Sequence, residues 1–220
     1  MKKYCKKLII DIKNDVLDIC GGNGIIIVGS ETVALEYQRY GRNKNTLVNK
    51  TYIDSGEYRR KFDNLTDNST VNKVIYDKAK EALKHRSGTE LEDMYWIDSE
   101  TSNVVLAVTD SIDERAIVYT DRIKNTIKGK TNIITLHTHP SSMPPSIDDF
   151  NSCFNNQYEI GIIACHNGRV FKYSSKQTVS KSLYNLYIGE YLDKGYNEFD
   201  AQLKALEKLK ENHLIEFEEV

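Results

Sequence analysis

The chain reads as an α/β (α+β) protein, a mixed sheet flanked by helices, on three observations. Short apolar runs of strand length, such as "NIITLH" and "EIGIIAC", alternate with longer stretches whose apolar residues recur every three or four positions. From Asn72 onward the resulting order is helix, strand, strand, helix, strand, helix, strand, strand, helices, which is the pattern of a central sheet covered by helices. The composition, 40% hydrophobic and 28% charged over 220 residues, is that of a globular chain with room for one sizeable core plus an extension.

Taken in order, "KLIIDIKNDVLDI" places Leu8, Ile9, Ile12, Val16, Leu17 and Ile19 at mostly helical spacing and predicts a short amphipathic element of that period. In "CGGNGIIIVGS" the glycines Gly21, Gly22 and Gly24 precede the apolar run. A phosphate-binding loop follows a strand and opens a helix, so here a turn and then a strand are expected. "QRYGRNKNTLVNK" is polar and basic, a linker or loop. The next helix runs from "NST" through "VNKVIYDKAKEALKHR", with Val71, Val74, Ile75, Ala79 and Leu83 as its apolar stripe, Ser69 or Thr70 as its cap and Gly88 at its end.

"LEDMYWID" and "NVVLAVTD" are two strands around "SETSN", with Trp96 alternating with Met94 as a core residue. A helical stretch through "DRIKNTIKGK" leads to the buried strand "NIITLH". The helix "SIDDFNSCFNNQ" follows, and then a hairpin turning at Asn167 and Gly168. Two helices broken at Gly195 close the chain. Leu183, Leu186, Tyr187 and Tyr191 line the first, and Phe199, Leu203, Leu206 and Leu209 the second, as core-facing stripes.

Several classes of function are disfavoured by bulk properties. A formal net charge of -2 gives no strong attraction to polyanions, which argues against nucleic acid as the main ligand. No apolar run approaches the roughly 18 residues of a membrane span, so no membrane is expected. The basic start "MKKYCKK" is followed by too short an apolar segment for a signal peptide. Cys5, Cys20, Cys153 and Cys165 are scattered with no C-x-x-C pair and read as reduced thiols of a cytoplasmic protein.

The chemistry concentrates in "TLHTHPSSMPPSIDDF". His137 and His139 stand two apart at a strand end, so both side chains point to one face. Asp149 sits in the first turn of the next helix, where Ser146 is the expected N-cap, and Pro140, Pro144 and Pro145 stiffen the connection. Two imidazoles and a carboxylate form a natural ligand set for Zn2+, with a water in the fourth position. A lone histidine pair at this spacing is commonly structural. The added Pro140, Ser146 and Asp149 turn the expectation to a metal site. Asp148 reads as a solvated helix-start charge, His166 as an edge or turn residue, and His85 and His213 as structural residues of polar helix ends.

The pattern H-x-H-P-x(5)-S-x-x-D resembles that of the JAMM (JAB/MPN) metalloenzymes, in which an upstream Glu precedes H-x-H-P, a short loop and S-x-x-D. The loop here has five residues between Pro140 and Ser146, whereas many members have six. "RSGTELEDMYWIDSETSNVV" is similar to the segment carrying the upstream Glu in bacterial and phage-associated JAB-like proteins. The similarity spans Glu57 to about Ser175 and leaves residues 1–50 unexplained. It implies a curved mixed sheet related to the cytidine deaminase core. The implied organisation is an N-terminal extension over residues 1–56 and a JAB/MPN-like domain with C-terminal helices over residues 57–220.

By the same resemblance the chain is a zinc metallopeptidase or isopeptidase acting on a protein or peptide substrate, ubiquitin-like proteins included. Glu92 is then the general base and Ser146 a donor to the oxyanion. Glu90, two residues earlier, is the alternative base, and strand alternation does not separate the two. The competing reading is a non-hydrolytic JAB-like binding module. Zinc deaminases need H-x-E and P-C-x-x-C, which are absent. TIM-barrel hydrolases need about 250 residues and further histidines.

Overall fold

The computed structural model describes residues 43–113 and 116–220, together with the backbone of four strands nearer the N-terminus. The chain divides into two compact units, Met1–Gly41 and Arg42–Val220. In the first, β1 (Leu8–Ile12) pairs antiparallel with β2 (Asp15–Ile19), and β3 (Ile25–Val28) pairs antiparallel with β4 (Glu31–Ala34). The helical period expected over "KLIIDIKNDVLDI" is therefore corrected to a hairpin. Leu8, Ile10 and Ile12 also alternate, and alternation prevails. The strand expected in "GIIIVG" is present as β3. The expected turn at Gly21, Gly22 and Gly24 lies outside the described residues, as do Cys5, Cys20 and residues 38–42 of the expected basic linker, whose remainder is loop apart from one 3-10 turn and the first residue of a short helix.

The second unit opens with a 3-10 turn at Lys44–Thr46 and two short helices, α1 (Lys50–Ile53) and α2 (Gly56–Arg60). The long helix α3 (Ser69–Arg86) is capped by Asn68 rather than Ser69 or Thr70. The Asn68 side chain accepts from the N–H groups of Thr70 (3.0 Å) and Val71 (3.3 Å), a role asparagine fills as well as serine. Gly88, at φ 82°, turns the chain just beyond it. Next come β5 (Met94–Asp98), β6 (Val104–Val108), α4 (Asp121–Ile127), β7 (Ile133–His139), α5 (Ile147–Asn155), β8 (Ile160–Cys165) and β9 (Val170–Ser175). The chain finishes with α6 (Lys181–Asp193), α7 (Glu198–Glu211) and β10 (Ile215–Glu219).

Six of these strands form one mixed sheet in the order β10-β9-β8-β7-β5-β6. Only β7 and β8 run parallel, joined through α5, while the other neighbours are antiparallel. Alternate residues of β5, β7, β8 and β9 feed two cores. On one face Met94, Trp96, Ile133, Ile163, Phe171 and Tyr173 pack with residues of α4, α5, α6 and α7. On the other, Tyr95, Ile97, Ile134, Leu136 and Ile162 pack with α1, α2 and α3. The architecture is thus a mixed sheet between two helical layers, and Trp96 is fully buried as expected. Among the described residues no helix is long and apolar enough to cross a membrane.

The tail departs from expectation in two places. On α6 the buried residue is Tyr184, and Leu186 is exposed, because the helix rests chiefly on α7 and presents only one narrow edge to the sheet. Beyond α7, "IEFEE" adds the edge strand β10, with Ile215 and Phe217 inward and the glutamates outward.

Gly161 explains why an apolar central strand carries a glycine. A β-carbon there would overlap the ring of Tyr173, which is buried against Phe150 with ring centroids 5.3 Å apart. Gly161→Ala should cost about 1–3 kcal/mol by overpacking, read as a lowered urea midpoint. Combining it with Tyr173→Leu should recover part of that loss, since the two sites share one space.

Candidate metal centre

The C-terminal end of β7 delivers His137 and His139 to the face covered by α5, while Thr138 between them turns to the α3 side. Their Nε2 atoms lie 3.0 Å apart. Asp149 approaches from the first turn of α5, with Oδ1 3.3 Å from His137 Nε2 and Oδ2 3.7 Å from His139 Nε2. One ligand atom from each of the three residues falls within 4.8 Å of the others, so the group can hold a metal ion. Ligands at the usual zinc bond lengths stand roughly 3.3 Å apart around a tetrahedron, and the observed separations bracket that value.

His139 and Asp149 are held from behind. Met143 O lies 2.9 Å from His139 Nδ1. A carbonyl can only accept, so Nδ1 donates to it and Nε2 is the ring nitrogen left facing Asp149 and His137. His137 Nδ1 is buried without a hydrogen-bond partner among the described residues. Ser146 caps α5 in a reciprocal box. Its Oγ accepts from the Asp149 N–H at 3.2 Å, and its own N–H and hydroxyl donate to Asp149 Oδ2 at 2.7 and 2.8 Å. Burial by itself would raise the Asp149 carboxyl, but the imidazoles of His137 and His139 and the Ser146 N–H overcome it and hold the group well below the usual carboxylate range.

The three ligands line a cavity of about 500 Å³ that also takes in Glu92, Ser146, Met94 and Tyr119. Glu92 is buried and Glu90 is half-buried, outside the cavity lining, where its Oε1 accepts from Asn43 Nδ2 at 2.7 Å. The two glutamates precede β5, whose regular ladder begins at Met94, so strand alternation does not govern them. Asp148 is exposed and pairs with Lys181 at 2.8 Å. His166 lies in the turn after β8, as expected of an edge or turn residue, and is buried there. Its Nδ1 donates to Thr46 O at 2.7 Å, and burial lowers its pKa. His85 and His213 stay outside the cavity.

A polar cluster without a sequence motif fixes Glu92 from the far side of the sheet. Asp93 is fully buried, and its carboxylate accepts from Arg86 Nε and stands 2.7 Å from His85 Nδ1. Its backbone is tied to the residue between the two ligand histidines. The Asp93 N–H donates to Thr138 Oγ1 at 3.1 Å, and the Thr138 N–H donates to Asp93 O at 3.2 Å. Arg86 Nη2 also donates to Thr109 O and Ser111 O, anchoring the start of the segment that leads to Tyr119.

Comparison with protein-family models, with curated proteins and with solved structures finds no match to this chain. What the site can do therefore follows from its own geometry: two imidazoles and an ionised carboxylate converge on one point in a cavity wall, with the carboxylates of Glu92 and Asp148 in the same cavity.

Two substitutions test how the centre is held. Arg86→Met leaves the buried Asp93 carboxylate without its guanidinium partner and should destabilise the fold by about 3 kcal/mol, measured by chemical denaturation. Ser146→Ala should cost about 1 kcal/mol through the lost cap. The same variant should weaken metal binding about tenfold through the freed Asp149 carboxylate, measured by calorimetric titration.

Proposed function

We propose that the chain is a zinc-dependent hydrolase of the JAMM (JAB/MPN) kind, cleaving a peptide or isopeptide bond in a protein or peptide substrate. The observation that carries this reading is the convergence of His137, His139 and Asp149 on the wall of the cavity that holds Glu92. The H-x-H-P-x(5)-S-x-x-D spacing of the sequence supports it, because that spacing and the folded geometry single out the same ligands. A mixed sheet between helical layers, with the site at the carboxyl end of a parallel strand, is compatible with a JAB/MPN core. Two imidazoles and a carboxylate favour zinc over the hard cations that prefer all-oxygen cages. Cys153 and Cys165, buried and unpaired, fit a reducing cytoplasm.

The chemistry such an ion supplies when bound is a water whose pKa falls towards neutrality. Around it, His137, His139 and Asp149 serve as ligands. Glu92 is the proton carrier, accepting a proton on its carboxylate and releasing it to the departing amine nitrogen. Ser146 donates its hydroxyl to Asp149 Oδ2, so its first task is to orient that ligand. Donation to a substrate oxygen requires the same hydroxyl to rotate away from Asp149. Glu90, engaged with Asn43 outside the cavity, has no part in the transfer.

Glu92→Gln should keep metal binding and lose hydrolysis by at least about a hundredfold, while His139→Ala should lose the metal and Glu90→Gln should change neither. Metal content by elemental analysis and turnover on ubiquitin-like and short-peptide substrates measure all three. Retained turnover in Glu92→Gln with loss in Glu90→Gln would reverse the assignment, and a purified protein with no affinity for zinc would favour a binding module instead.

A further inference from the structure

The cavity wall away from the metal ligands carries three hydroxyls in a row. Tyr119 Oη stands 3.2 Å from Tyr158 Oη and 3.2 Å from Ser152 Oγ. At one end Trp96 Nε1, which can only donate, gives its hydrogen to Tyr158 Oη at 2.9 Å. At the other, Asn156 Nδ2 donates to Ser152 Oγ at 3.3 Å. Hydrogens are thus fed in from both ends. Three hydroxyl hydrogens have two oxygen-to-oxygen links to fill, and one is left over. With Tyr158 and Ser152 both pointing theirs at the central oxygen, the surplus hydrogen is that of Tyr119. Its remaining neighbour is Met94 Sδ at 4.0 Å, a weak acceptor.

We propose that the Tyr119 hydroxyl is a substrate-binding donor, taking a neutral carbonyl oxygen of a peptide chain that continues past the bond presented to His137, His139 and Asp149. The inference rests on the amide-hydrolase reading and adds to it the kind of substrate the cavity accepts. Charge selects the neutral carbonyl over a carboxylate. Glu92, Asp148 and Asp149 line the same cavity, no lysine or arginine among the described residues does, and Lys181 is already paired to Asp148. A free chain terminus in this place would face three carboxylates with no lysine or arginine among the described lining residues to offset them. An internal amide would meet the surplus hydrogen of Tyr119, whose oxygen accepts from the Tyr158 hydroxyl behind it. The enzyme would then act within chains or on side-chain amides, and not by trimming terminal residues.

Trp96 is the chain's single tryptophan, and its ring also meets Tyr119 edge to face at 5.7 Å. Its indole N–H therefore gives one resonance that reports on the hydroxyl row. Isotope-labelled full-length protein, with zinc and with no added metal, is titrated with N-acetyl-glycyl-glycine N-methylamide and, in parallel, with sodium acetate. The amide should shift the indole resonance, about fivefold more weakly in affinity for Tyr119→Phe. Ser152→Ala, which leaves the surplus hydrogen on Tyr119, should respond as the parent does. Equal affinity in the parent and Tyr119→Phe, acetate bound as tightly as the amide, or loss of the response in Ser152→Ala alone would each overturn the inference. Zinc affinity is measured separately by calorimetry. Absence of zinc binding with a Tyr119-dependent amide shift would remove the hydrolase reading and leave the donor site standing.

Discussion

The central position of β7 is the constraint on which the rest of the site depends. The strand is paired along both edges, to β5 and β8, and covered on both faces. A slip of one residue would exchange His137 and His139 for Leu136 and Thr138 on the cavity side and bury imidazoles against α3. The two backbone and side-chain bonds between Thr138 and Asp93 oppose such a slip at the position between the ligands. Asp93 is in turn immobilised by Arg86 and His85. A cluster on the α3 side therefore sets the register of a site on the other side of the sheet, and Glu92, one residue before Asp93, inherits its placement from the same anchor.

Much of the centre was legible in the sequence because its parts are local. A pair at i and i+2 on a strand, a serine three residues before an aspartate at a helix start, and prolines between them need no knowledge of distant contacts. The anchor next to Glu92 lies in a different class. Arg86 and Asp93 are seven residues apart and meet only because α3 packs back on β5, so nothing in the local pattern marks them. The same holds for Tyr119, Tyr158 and Trp96, whose hydrogen bonds join two separate connecting segments and a strand.

Fold errors also have identifiable causes. In "KLIIDIKNDVLDI" both periods are present, and the helical count passes over Lys13 and Asn14, a turn-compatible pair between two apolar runs. On α6 the apolar residues are spread around the helix, so a stripe drawn through Leu186 fits the period but not the packing, and Tyr184 takes the inward position. At the C-terminus "IEFEE" alternates over only five residues, a signal too short to stand out beside a strong helical stretch, yet β9 had an open edge for it to cover.

The cap of α5 places two demands on one side chain. Helix starts of this kind accept aspartate or glutamate three residues after the serine, and glutamate is the commoner partner. At position 149 a longer acid could still reach back to the Ser146 N–H, but its carboxylate would no longer sit between His137 and His139. Local stability and site chemistry therefore tolerate different residues at the same position. Under selection for folding alone, nothing would hold aspartate there against glutamate. Its identity at residue 149 is where a lineage abandoning the chemistry could first drift without loss of structure.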